Sequence, residues 1–242
     1  MRGLDVVRRG PERLRVGPWR GDARVAYLAP VSETPPPTAD MVRWCCSLLA
    51  RRGYAEVVTG ALAAPEREGF VAAGFEVREE LHLLSHDLDD LPSLVPRPVV
   101  PLRRGWRTDR GRALEVDALA FSPFWQLDTS GLTEALHATP VSRFRVAGRN
   151  PLTGYAVSGL AGRQGYLQRV AVDPAAWGRG HGRALVLDGL HWMRRRGARR
   201  AVVNTQVGNG RALDLYERLG FDLQPSGLAV LARRLPDREL TG

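Results

Sequence analysis

The sequence predicts an α/β fold, a mixed and mostly antiparallel sheet with helices on both faces, preceded by a shorter unit of similar design. Three observations lead there. Apolar runs of strand length alternate with amphipathic stretches of helix length. A glycine-rich loop joins the strand-like run Val170, Ala171, Val172 to one of those helices. The order glycine, β-branched strand, helix, Gly-Phe occurs twice, at residues 53–75 (GYAEVVTGALAAPEREGFVAAGF) and 197–221 (GARRAVVNTQVGNGRALDLYERLGF). Self-similarity at that scale points to a repeated supersecondary unit.

In chain order, the first third offers a strand at 24–29. An amphipathic helix carrying Met41, Trp44, Cys45, Leu48 and Leu49 follows, then a strand after Gly53 and a helix that closes on Gly74-Phe75. The proline-rich stretch 88–101 interrupts the periodicity, so the seam falls there. Residues 1–95 are then a truncated, degenerate unit and 96–242 a complete one. The complete unit opens with a strand at 99–106, two short helices at 113–121 and 129–139, and strands at 143–147 and 155–161 around an Asn150-Pro151 turn. After the strand at 165–172 and the glycine loop comes a helix with Val186, Leu190 and Met193 on its apolar face. A strand through Val203 leads to Asn209, a suitable N-cap. Ala212, Leu213, Tyr216 and Leu219 share one face of the next helix, and Gly220 suits its left-handed C-terminus. The last strand covers 228–232.

Composition narrows the classes. With 242 residues and 44% hydrophobic side chains the chain fills one or two domains. The net charge is +9, but all 35 basic residues are arginine; lysine and isoleucine are absent, as in a GC-rich coding sequence. The arginines are scattered in short runs, which argues against a nucleic-acid face. No apolar run reaches membrane-spanning length, and the N-terminus lacks the apolar centre of a signal peptide, so a cytoplasmic protein is expected. Cys45 and Cys46 are adjacent and build no disulfide framework. His137 and His191 have no partner spacing that suggests a metal. No pattern fixes an oligomeric state.

The stretch 168–185, QRVAVDPAAWGRGHGRAL, carries the chemistry. Gly178, Gly180 and Gly182 stand where a helix begins, and unpaired N–H groups together with the helix dipole favour an anion there. Glycine permits the positive φ and close backbone approach that such a cradle needs. Arg179, His181 and Arg183 flank it, with simple solvent exposure an equal reading for Arg183. No Lys-Ser/Thr follows the last glycine and the spacing is not G-x-G-x-x-G, so neither common nucleotide signature applies.

The loop resembles the acetyl-CoA loop of the GCN5-related N-acetyltransferase (GNAT) family, Gln/Arg-x-x-Gly-x-Gly/Ala. Gly180 and Gly182 fill the glycine positions, and Trp177 stands where Gln or Arg is usual. The block from Val203 through Asn209 and RALDLYERLGF (211–221) resembles the family's later strand and Asn-led, Tyr-bearing helix. The resemblance implies acetyl-CoA as cosubstrate and direct transfer to an amine, of a small molecule or a protein N-terminus, in a ternary complex. It assigns the pantetheine arm and thioester carbonyl to the backbone of Val170, Ala171 and Val172. The phosphates go to Gly178, Arg179, Gly180, His181, Gly182 and Arg183, with Asn209 beside them.

Tyr216 is the expected catalytic residue. A Tyr near 10 is a weaker acid than a thiol near 8.5, so a hydrogen bond to the departing sulfur is expected rather than outright proton donation. No general base stands out: Gln168 cannot take a proton, and Asp128 and Glu134 are also ordinary helix-start carboxylates. A lysine amine is almost wholly protonated at neutral pH, so the missing base tilts toward an amine of lower pKa. Phe121, Phe124 and Trp125 line an acceptor pocket or pack a core. In the first unit Pro35-Pro36-Pro37 replaces the glycine loop, Ala63 falls opposite Asn209 and Phe70 opposite Tyr216. Proline has no N–H to offer an anion, so that unit is expected to be silent and to shape the acceptor cleft. The alternative is a non-catalytic acyl-CoA sensor or interaction protein on the same scaffold, for which Trp177 and the missing base leave room.

Overall fold

The computed structural model describes residues 4–31, 34–93 and 100–236. In chain order these form β1 (Asp5–Arg9), β2 (Glu12–Pro18), β3 (Val25–Pro30), α1 (Ala39–Arg51), β4 (Glu56–Thr59), α2 (Ala64–Ala72) and β5 (Glu76–His86). Then come β6 (Leu102–Arg104), α3 (Arg110–Ala120), α4 (Thr129–His137), β7 (Val141–Ala147), β8 (Gly154–Ala161) and β9 (Gln164–Val172). The chain ends with α5 (His181–Arg195), β10 (Arg200–Gln206), α6 (Gly210–Glu217), β11 (Asp222–Leu223) and β12 (Leu228–Arg234). The expected α/β class and mostly antiparallel pairing are observed. The hairpin β1–β2 and the strand β5 were not anticipated; β1 and β5 carry too many exposed charged residues for a clean apolar alternation.

The chain divides into two compact units that are not contiguous in sequence. The first holds residues up to 83 together with 206–208 and 225 onward, and the second holds 84–205 and 209–224. Part of the proline-rich seam, residues 94–99 with the expected strand start at Val99, lies outside the described residues. In the first unit, β2 pairs antiparallel with β1 and β3, and β3 runs parallel to β4. The closing strand β12 lies between β4 and β5, antiparallel to both. That strand was expected in the sheet of the second unit. Its alternation marks it as a strand without naming its neighbours, and Ala229, Val230 and Leu231, each at most 1% exposed, need covering on both faces. Leu14, Leu28, Met41, Leu49, Phe70 and Leu231 are among the residues of this unit's core.

In the second unit β6, β7, β8 and β9 form an antiparallel meander, and β10 runs parallel to β9. The short β11 pairs with Leu84 and Ser85 at the end of β5.

The repeat is visible in detail. Each unit has a parallel strand pair joined by a helix, β3–α1–β4 and β9–α5–β10. Glycines at φ 92° (Gly53) and 86° (Gly197) end those helices, and Tyr54 N–H and Ala198 N–H reach back to Leu49 and Met193 carbonyls. The second helices end alike: Gly74 and Gly220 sit at φ 85° and 88°, and Phe75 and Phe221 donate to Phe70 and Tyr216 carbonyls, both at 3.1 Å. These are left-handed helix caps that favour glycine.

Where the second unit has its glycine loop, the first is closed. Pro37 O lies 1.9 Å from where a Cβ on Gly69 would sit, so the Pro35–Pro37 segment rests on α2. Thr38 caps α1 through Met41 N–H, and the Glu12 carboxylate accepts from Thr38 N–H. A carboxylate of the chain's own thus holds the helix N-terminus, where an anion is favoured.

Expressed alone, residues 1–93 lack β12 and leave β4 and β5 without their shared partner. The expected result is no cooperative urea unfolding transition, whereas the full chain shows one.

Candidate active site

The site is built where β9 and β10 stop pairing. Their parallel register runs from Gln164 and Arg200 to Tyr166 and Val202 and ends there, although both strands continue. At the same level β9 bulges against β8: Arg169 opposes Val157 and Leu167 opposes Ser158, so Gln168 is the extra residue. Asp173 N–H donates to Thr153 on the β8 side. Strand N–H groups alternate, so those of Val170 and Val172 point the other way, into the gap left by β10. The side chain of Ala171 is buried in the core beneath α3 and α4, and Val170 packs against α5 and its neighbours. The backbone therefore offers donors while the side chains pack.

The gap opens into a cleft of about 680 Å³, lined by Val170, Ala171, Val172, the glycine loop, the start of α5 and one face of α6. Gly178 and Gly180 adopt φ 74° and 80°, which glycine alone takes without strain. The α5 ladder begins with Ala184 N–H to Gly180 C=O, leaving the N–H groups of His181, Gly182 and Arg183 ahead of it. A Cβ on Gly182 would stand 3.2 Å from Leu215 Cδ2, so its absence lets α6 approach the loop. Arg179 and Arg183 are exposed. His181 is 9% exposed, and its Nδ1 has no hydrogen-bond partner among the described residues. Burial, then the Arg179 charge, lowers its pKa, so the ring is neutral at neutral pH.

Asn209 caps α6, its Oδ1 accepting from Ala212 N–H at 3.2 Å. Tyr216 lies about two turns on, 6% exposed at the cleft wall, tilted against Phe221 with centroids 5.5 Å apart. Burial pushes its hydroxyl up to about 12, with the Arg169 charge acting in the opposite direction. The hydroxyl stays protonated across any working pH. Trp177 fills its unusual loop position by donating its indole N–H to Val172 O at 2.9 Å, and Arg211 stacks over its ring at 4.3 Å.

The other sequence candidates are occupied. Asp128 caps α4 by accepting from Gly131 N–H at 2.7 Å. Gln168 Nε2 donates to Thr139 Oγ1, while its Oε1 is buried without a partner among the described residues. Glu134 is exposed on α4. Phe124 and Trp125 meet edge to face, and Phe121 reaches the cleft. His191 bonds the Pro92 carbonyl and His137 that of Thr133. Among the described residues no cluster suits a metal, and no helix is long and apolar enough to cross a membrane.

Sequence reasoning missed one polar cluster, which lies behind Phe121 of the cleft wall. Asp117 of α3, 0% exposed, accepts from the Tyr155 hydroxyl at 2.5 Å, and from Leu127 N–H and Arg169 Nε and Nη2 at 2.7 Å each. Arg169 Nη2 also donates to Trp125 O, and its guanidinium lies 3.4 Å over the Phe121 ring. Desolvation, then the Asp117 charge, drives the Tyr155 pKa upward. The available signal was Asp117 itself, a carboxylate on the apolar face formed by Ala113, Val116 and Ala120.

The comparisons with known proteins agree with this geometry. Residues 111–221 match the acetyltransferase (GNAT) family model. A mycothiol acetyltransferase of Mycobacterium sp. (strain JLS) is 32% identical over 242 residues, covering 87% of this chain and 80% of that one. The chain belongs to the GNAT family. Another mycothiol acetyltransferase, from Rhodococcus erythropolis, is 36% identical over 155 residues, 55% of this chain and 51% of that one. Among solved structures, a tandem GNAT protein from the clavulanic acid biosynthesis pathway superposes with a TM-score of 0.68 at 14% identity, covering 96% and 82% of the two chains. A GNAT protein from Sphaerobacter thermophilus gives 0.63 at 16% identity, over 94% and 78%. The chain is accordingly an acyltransferase with acetyl-CoA as cosubstrate. The sensor alternative finds no support among relatives named as acetyltransferases.

Asp117→Ala would strand the Arg169 charge and the Tyr155 hydroxyl in a buried setting. The expected loss is about 3–5 kcal/mol of unfolding free energy, read from urea denaturation.

Proposed function

We propose that the second unit transfers the acetyl group of acetyl-CoA directly to an amine held in the same cleft. The parting of β9 and β10 beside the glycine loop carries this reading. That gap suits an extended pantetheine arm, which can lie along β9 as a third strand and meet the N–H groups of Val170 and Val172. The N–H groups of His181, Gly182 and Arg183 suit the pyrophosphate, with the arginines nearby adding charge. Trp177 must yield the Val172 carbonyl or share it as the arm enters.

Direct transfer makes proximity a large contributor; holding amine and thioester together is worth on the order of 7 kcal/mol. The donors of β9 polarise the carbonyl where charge develops. Tyr216 donates a hydrogen bond to the departing sulfur. With its hydroxyl near 12, full proton transfer to a thiolate of ordinary basicity would be uphill by about 5 kcal/mol. The cleft's carboxylate is Asp214, exposed on α6, so the acceptor is best served as an amine that is partly neutral unaided, near 8 rather than above 10. The relatives' name, mycothiol acetyltransferase, makes a small-molecule amine of that chemistry the first acceptor to test, ahead of a protein N-terminus. The first unit, with its loop closed by Pro35–Pro37 and Glu12, binds no second acetyl-CoA in this reading.

Two measurements follow. Calorimetry of the wild-type chain should give a single acetyl-CoA site, and Gly180→Pro should abolish it; a surviving site would place binding elsewhere. Tyr216→Phe keeps the packing and removes the hydroxyl. Turnover, read as free thiol released, is expected to fall about 10- to 100-fold with acetyl-CoA affinity nearly unchanged. Wild-type turnover in that variant would remove Tyr216 from the chemistry.

A further inference from the structure

The cluster around Asp117 has no part in the reading above, yet a fully buried carboxylate with four donors on it is costly to build. Its effect is to immobilise one cation. Arg169 is held through Nε and Nη2 by Asp117 and by the Trp125 carbonyl, and flat against Phe121. Strand alternation aims it: Arg169 lies two residues before Ala171, on the face of β9 beneath α3 and α4, and reaches Asp117 of α3. The bulge brings the extra residue, Gln168, to the same face, where it reaches Thr139. Phe121, on which the guanidinium rests, lines the same cleft as Tyr216. The remaining guanidinium nitrogen, Nη1, has no hydrogen-bond partner among the described residues, and it is not among their buried unpartnered atoms. A fixed positive charge with a spare donor nitrogen thus stands behind Phe121 in the cleft wall.

We propose that Arg169 is a positioning residue for the leaving group, a cation locked by Asp117 that acts with the Tyr216 hydroxyl to stabilise the departing CoA thiolate. This rests on the acetyl-CoA reading above. As the carbon–nitrogen bond forms from the amine lone pair and the carbon–sulfur bond breaks, the electron pair leaves with the sulfur and one amine proton leaves to solvent. The negative charge so created is what the cation offsets. A cation near the site favours the charged form of a thiol. Consistent with this placement, Arg169 is the charged group that opposes the burial-driven rise of Tyr216.

The test needs no acceptor. CoA carries the ionisable thiol and acetyl-CoA does not, so the ratio of their affinities isolates the thiolate. Other groups facing the cleft, His181 and Arg183 from α5 and Arg211, Asp214 and Arg218 from α6, affect both ligands and cancel in the ratio, as do Asp117 and Tyr155 around Arg169. In the wild-type chain, raising the pH from about 6.5 to about 9.5 is expected to strengthen CoA relative to acetyl-CoA by about tenfold, because the bound thiol ionises earlier than its ordinary value of about 8.5. Arg169→Met should reduce that gain to less than about threefold while the acetyl-CoA affinity holds, and Arg169→Lys should keep most of it. Arg169→Gln, which removes the charge but keeps a donor for Asp117, replaces the Met variant if that does not fold. An undiminished gain in the neutral variants overturns the proposal, as does a wild-type chain whose ratio ignores pH. A parallel loss of both ligands in the variants shows a structural role only and also overturns it. If wild type binds neither ligand, the acetyl-CoA reading itself has failed, which is a separate and recognisable result.

Discussion

Two adjacent parallel strands that stop sharing hydrogen bonds are the constraint on which this molecule turns. β9 and β10 pair as far as Tyr166 and Val202, then run on without pairing to each other. Backbone donors left without partners are ordinarily a liability. They are tolerated here because they face a cleft, where solvent or a ligand satisfies them. The bulge at Gln168 sits at the same level, and Arg169 beside it faces Asp117 of α3. The glycine loop follows within a few residues, so free strand donors, free helix-start donors and a buried cation all come from one short length of chain.

The two units carry different polar equipment on a shared scaffold. Both keep the glycine caps at matching positions and an aromatic pair five residues apart, Phe70 with Phe75 and Tyr216 with Phe221. These features stabilise helix ends and cores and owe nothing to catalysis. What differs is the polar equipment. One unit has N–H groups at a helix start left free by glycines; the other has prolines packed on Gly69 and a glutamate filling the helix end. One has a tyrosine hydroxyl and the other a bare phenyl ring.

The buried Asp117–Arg169–Tyr155 cluster adds a cost that packing alone would not require. Replacing such a group by apolar side chains is often neutral or stabilising, so its presence beside the cleft calls for a chemical account rather than a stability account. Three hydrogen bonds, two to Asp117 and one to the Trp125 carbonyl, restrict the guanidinium to one orientation, and an oriented charge needs no reorganisation when charge develops nearby.

The sequence by itself determined the local features. Glycine spacing, the Asn209 cap, the Gly220 terminator and the apolar face carrying Tyr216 are set by backbone propensities and helical period, which act over a few residues. The repeat and the family resemblance were legible for the same reason. Tertiary structure alone decided which strands pair and which charges meet. β12 reads as a strand anywhere, but it lies between β4 and β5, because pairing joins residues about 150 to 180 positions apart and leaves no local signature. Arg169 follows Gln168 in the sequence like any exposed arginine. Only the packing of β9 against α3 buries it, and α3, about fifty residues upstream, supplies the carboxylate that fixes it there.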